Sequence, residues 1–127
     1  FDWEKFLILA EELEKKDDEA SLRSAISRGY YSAFHMALDF CEAQMPPFQK
    51  TQGGKDHERV RTTLGEHRDA QVRGTKNQLF TLYTNRGSAD YNDEYKYSPL
   101  KGSTRFSLEL ARKTIETLKN FGQSNPS

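Results

Sequence analysis

Residues 18–45 are the stretch that most limits what this chain can become. Leu22, Ile26, Tyr30, Ala33, Phe34, Ala37, Leu38 and Cys41 fall on one side of a helix at about 100° per residue. Pro46 and Pro47 end the run, because proline lacks an amide hydrogen and turns the preceding residue away from helical backbone. A face this long needs other helices to cover it, and the rest of the chain supplies them.

Residues 2–16 place Trp3, Phe6, Leu7, Ala10 and Leu13 at helical spacing, with Asp2 as a cap and Lys15 and Lys16 suiting the end. A loop is predicted over 46–55. A short helix over 56–66 turns Val60 and Leu64 inward. Residues 68–85 carry Val72, Leu79, Leu82 and Tyr83, with Gly74 either breaking this segment or marking its start. Gly, Asn, Asp, Ser, Pro and three tyrosines predict a long loop over 86–101. Ser103 is expected to cap a last helix through Phe121, with Phe106, Leu110, Ala111, Ile115 and Leu118 inward. No segment shows a strand pattern and none repeats. The expected fold is all-α, an antiparallel four- to five-helix bundle with one domain over 1–122 and a flexible tail over 123–127.

Lys plus Arg number 19 and Asp plus Glu 19, so the formal net charge is zero. Global attraction to nucleic acid or an anionic membrane is excluded, and contact with either needs a local patch. Cys41 is the one cysteine, so no internal disulfide forms. No basic segment precedes the first apolar residues, and no apolar run reaches the roughly 20 residues that span a bilayer. The expectation is a soluble cytoplasmic protein without a membrane partner.

The long helix carries a polar stripe. With Arg28 at zero on a helical wheel, His35 and Asp39 fall about 20° to either side, Ser32 about 40° and Tyr31 about 60° away. The small residues Ala25, Gly29 and Ser32 beside them leave room for another helix or an RNA backbone. Two readings stand. In one, the stripe is the solvated side of an amphipathic helix, and His35 is satisfied by a neighbour such as Asp39. In the other, Arg28 offers a fork of donors matched to a phosphate, and His35 moves a proton near neutral pH. Such a pair could cleave RNA without a metal, and two copies across a two-fold axis would supply two of each group.

"SRGYYSAFHMA" closely resembles the Arg-x-x-Tyr-Tyr-x-x-Phe-His signature of HEPN domains. "LYTNRGSADY" resembles their second signature, a Leu-rich helix end followed by Arg-x-x-Ala-Asp-Tyr, here Arg86, Ala89, Asp90 and Tyr91. The two stand in the family's order, and the resemblance covers most of the chain. It implies a small helical bundle that commonly forms a homodimer. Many HEPN domains are metal-independent endoribonucleases of toxin–antitoxin, CRISPR-linked and phage-defence systems, and others are inactive partners of minimal nucleotidyltransferases. The ribonuclease signature is an arginine, four to six residues, then a histidine, and Arg28 and His35 have six between them. The resemblance thus makes Arg28 and His35 a catalytic pair and Tyr31, Ser32, Arg86, Asp90 and Tyr91 substrate-binding residues, with no metal and no cofactor. The partners it implies are a second copy, RNA or a nucleotide, and a nucleotidyltransferase or an antitoxin. The alternative is a non-catalytic module that binds a nucleotide or a nucleotidyltransferase.

Arg61 and His67, five residues apart, form a second candidate pair. Arg86 either pairs with a carboxylate or adds a phosphate contact, Asp90 braces the loop, and Tyr91 plugs the bundle or offers a stacking face to a base. "HERVRTTLGEHR" is locally basic, but Glu58, Glu66 and Asp69 interleave with it, which reads as a solvated face. No Cys or His spacing suits zinc, and no phosphate-cradling glycine loop follows a strand.

Overall fold

The computed structural model describes residues 1–51 and 54–126. Among them are five helices and no strand: α1 (Glu4–Lys16), α2 (Glu19–Gln44), α3 (Asp56–Gly65), α4 (Ala70–Tyr91) and α5 (Leu100–Ser124). The expected all-α bundle is thus the observed one. Gln52 and Gly53 of the predicted loop lie outside the described residues, as does Ser127 of the predicted tail.

α2 is the axis of the bundle and packs on α1, α4 and α5, while α3 lies chiefly on α4. Its predicted inward face is buried as read, from Leu22 through Cys41. Asp17, in the left-handed region at φ 63°, ends α1, and the Asp18 carboxylate then accepts the Ser21 amide at 2.9 Å to open α2. Asp69 opens α4 in the same way, accepting from the amides of Gln71 and Val72. Glu4–Lys119, Glu11–Arg112 and Glu14–Arg105 pair α1 with α5 in descending order, which fixes the two as antiparallel. Exposed pairs of this kind set register more than stability.

Four expectations are corrected. The helix placed over 68–85 does not stop there, because α4 runs unbroken through Gly74 to Tyr91 and only residues 92–99 connect it to α5. Gly87, Ser88 and Asp90 have loop-like composition, but tertiary contacts decide. Arg23 on α2 donates to the carbonyls of Ala89, Asn92 and Asp93, and the Ser88 hydroxyl accepts the Lys96 amide. α5 starts at Leu100 rather than Ser103, whose hydroxyl instead meets the Tyr95 phenol. Phe106 is 52% exposed, because the inward stripe of α5 is Thr104, Ser107, Leu108, Ala111, Thr114, Ile115 and Leu118. The threonines bury by bonding inward, Thr104 to carbonyl oxygens of Leu100 and Leu22 and Thr114 to the Gln78 side chain. At the chain's end Gln123 and Ser124 belong to α5, and Gln44 donates to the Asn125 carbonyl.

Candidate functional site

The start of α1 builds an aromatic floor beside α2. Phe1, Trp3 and Phe6 meet edge to face, with ring centroids 4.8–5.6 Å apart. Ser32 pins that floor to α2 by donating its hydroxyl to the Trp3 carbonyl at 2.8 Å. The two residues singled out on the polar stripe then lie on it. The Arg28 guanidinium sits 5.1 Å over Phe6, and the His35 imidazole lies flat on Trp3 at 3.6 Å and 8°. Neither makes a hydrogen bond or ion pair with a described residue. Asp39, the neighbour expected to satisfy His35, is instead bound to Lys50 at 2.8 Å. Burial pushes the His35 pKa below the ordinary imidazole value, Lys50 adds to that, and Asp39 opposes it. His35 is therefore neutral near pH 7 and can accept a proton. Within one chain the pair rests on two different rings of the floor.

The other predicted residues divide. Ser32 is fully buried under Trp3, so it does not touch a substrate; the small side chain is there to let α1 approach. Gly29 likewise admits α5 and not an RNA backbone, since an added Cβ would stand 2.8 Å from Leu108 Cδ2. Tyr31 is half-buried, with its ring 6.4 Å from that of His35 and 6.3 Å from that of His57. Arg86 is only 7% exposed, held on α4 among the rings of Tyr30, Tyr31, Tyr83 and Tyr91 at 5.0–5.7 Å. Its nearest carboxylate, Asp90, is 3.7 Å away and also accepts from Ser27, which ties the end of α4 to α2. Tyr91 does not plug the bundle: it is 76% exposed and presents its ring to solvent. The second candidate pair comes apart. Arg61 lies against Tyr83 and Phe80, while His67 is buried beside Phe40 and Phe121 and accepts the Asp69 amide.

Sequence reasoning missed His57. It stands one helical turn before Arg61 on α3, and both turn toward α2 and α4 where a solvated face was expected. The His57 ring stacks on Phe34 at 4.3 Å, and its Nδ1 meets the Tyr30 phenol, itself buried. Burial depresses the His57 pKa, and the guanidiniums of Arg86 and then Arg61 depress it further. The available signal was that spacing, four residues apart on a segment whose apolar positions are Val60 and Leu64.

No family model, no curated protein and no solved structure matches this chain. Among the described residues no helix is long and apolar enough to cross a membrane, and no group of three or more His, Cys, Asp or Glu side chains is placed to hold a metal ion.

Proposed function

We propose that this chain is a HEPN-type module acting on RNA as a metal-independent endoribonuclease, its site made of Arg28 and His35 from two copies. One observation carries the reading. A guanidinium and a neutral imidazole lie on one aromatic floor, and neither is spent on an internal polar partner. His35 is half-buried, and a half-buried polar group that serves only the fold is normally paired; Arg28 is exposed, so its guanidinium is free to meet a ligand from solvent.

The chemistry follows from the groups. A neutral His35 takes the proton of a ribose 2′-OH, and the 2′ oxygen attacks the adjacent phosphorus. Arg28 holds the charge gathering on the non-bridging oxygens. The 5′ oxygen leaves with the proton that the imidazole took up, giving a 2′,3′-cyclic phosphate and a 5′-OH end and returning His35 to its neutral form. Trp3 fixes the plane of the imidazole, and Tyr31 offers a flanking ring for a base.

Purified protein incubated with mixed RNA and a chelator, beside His35→Ala and Arg28→Ala, tests this. Cleavage by the parent, lost by at least about a hundredfold in either variant, is expected. Equal cleavage by His35→Ala and the parent removes His35 from the mechanism. The zero net charge favours a second reading, a non-catalytic module that binds a nucleotide or a nucleotidyltransferase. That reading gains if the parent cleaves nothing.

A further inference from the structure

Arg86 and Arg61 lie outside the floor that carries Arg28 and His35, and they present a different problem. Arg86 is more than nine-tenths buried, and its Nε has no hydrogen-bond partner; the buried Nη1 of Arg61 also has none. The two come from different helices, α4 and α3, yet both lie against Tyr83, at 5.0 and 4.8 Å from its ring. The tyrosine rings offset part of the buried charge, but a ring face leaves an in-plane N–H donor unsatisfied. A buried donor without an acceptor costs about 1–3 kcal/mol, and more for a charged group. Carboxylates do not settle the account. Asp90 reaches Arg86 only at 3.7 Å, and Asp56, beside His57, is taken by Arg59 and Thr51. No ion pair of Arg61 with a described residue exists. The imidazole of His57 completes the group, one nitrogen held by Tyr30 and the other open.

We propose that Arg61, Arg86 and His57 form a binding site for a tetrahedral oxyanion, a phosphate group seated between α2, α3 and α4. Two planar forks and an imidazole, carried by α3 and α4, supply the donors, and phosphate oxygens accept several at once. Tyr31 and Tyr83 wall the site and lower the local dielectric, which strengthens each charged hydrogen bond. The requirement is for negative charge with several acceptors. A free phosphate, the phosphate of a mononucleotide and the end of an oligonucleotide all meet it. The site does not depend on the catalytic reading of Arg28 and His35.

Inorganic phosphate, AMP, adenosine and a 5′-phosphorylated RNA pentamer are each titrated into the full chain by calorimetry and thermal shift, in chloride buffer. Binding and a higher Tm are expected with the phosphate-bearing probes and not with adenosine. Equal affinity for phosphate and AMP assigns the site to the free ion. Tighter AMP assigns it to a mononucleotide, and tighter pentamer to an RNA end. Arg61→Gln, at a half-exposed position, is expected to weaken the best probe by at least about tenfold, the loss of one charged hydrogen bond. Arg112→Gln, on the far α1–α5 seam, is the control and keeps parental affinity. Arg86→Gln is read only where its circular dichroism matches the parent, and then loses binding. Absence of binding by every phosphate-bearing probe, or Arg61→Gln binding as tightly as the parent, overturns the proposal.

Discussion

Gly29→Ala and Gly74→Ala make the same chemical change at interior helix positions and are expected to move stability in opposite directions. Alanine in place of a helical glycine gains about 1 kcal/mol from backbone entropy and propensity. At Gly74 on α4 nothing lies within 4 Å of the added Cβ, so the gain stands. At Gly29 on α2 the Cβ lands 2.8 Å from Leu108 Cδ2, where carbon atoms rest at about 3.5–4.0 Å. Leu108 is 1% exposed and sits in the core, so it has little space to yield. Overpacking a core costs about 1–3 kcal/mol, which exceeds the propensity gain and leaves Gly29→Ala about 1 kcal/mol less stable than the parent. The two variants should then differ by about 2 kcal/mol, or about 8 °C in Tm for a domain of this size. Urea denaturation followed by circular dichroism measures both. A double-mutant cycle isolates the cause: in a Leu108→Ala background the space is open, and Gly29→Ala should turn from a cost to a gain. If Gly29→Ala stabilises the parent as much as Gly74→Ala does, the close α2–α5 approach is not what requires glycine there.

Two further outcomes follow from buried titratable groups. His67 accepts the Asp69 amide at 2.9 Å through Nδ1, and burial depresses its pKa, so the fold holds it neutral while the unfolded chain protonates it near pH 6.5. The unfolded state binds more protons in that window, so stability is full above about pH 7 and falls as the pH drops through 6.5 toward the depressed value. His35 and His57 are depressed in the same sense and add to the slope, whereas the lowered Asp18 and Asp56 act below pH 4. Urea midpoints at pH 7.5 and 5.5 should show the loss, and His67→Gln should flatten it; a parent more stable at pH 5.5 contradicts this sign. Cys41 is fully buried, and burial pushes its thiol up to about 12, so a thiol reagent at pH 8 should label the native protein only as fast as it unfolds. Labelling within seconds in the absence of denaturant would show that α2 opens locally around Cys41.

The apolar face of α2 was legible because one period, set by eight side chains, leaves a helix no other way to be covered. The end of α4 was not. Gly87, Ser88 and Asp90 favour a loop locally, and what keeps the helix going is Arg23, more than 60 residues earlier, taking the last carbonyls. The stripe of Arg28, His35, Asp39 and Ser32 was legible as an alignment but not as a surface. A helical wheel gives direction, and only the partner helix says whether that direction ends in solvent. α1 covers Ser32 and floors His35, and α5 fills the notch at Gly29.

The same logic explains why His57 escaped notice and why Arg61 was paired with His67 and not with His57. Glu58, Glu66 and Asp69 made the α3 segment read as solvated, because charge counted along a chain averages over faces that a helix separates. Glu58 points out, and His57 and Arg61 point in, toward the tyrosines that α2 and α4 bring. A zero net charge is therefore compatible with a concentrated positive site. Six acids, Glu4, Glu11, Glu14, Asp39, Glu42 and Asp56, are held in ion pairs on the α1–α5 seam and the α2–α3 connection, while Arg28 and Arg61, like Arg68 and Arg73, have none among the described residues. Arg86 has a single long contact with Asp90. Anion recognition here would rest on where carboxylates are absent and not on how many arginines the chain contains.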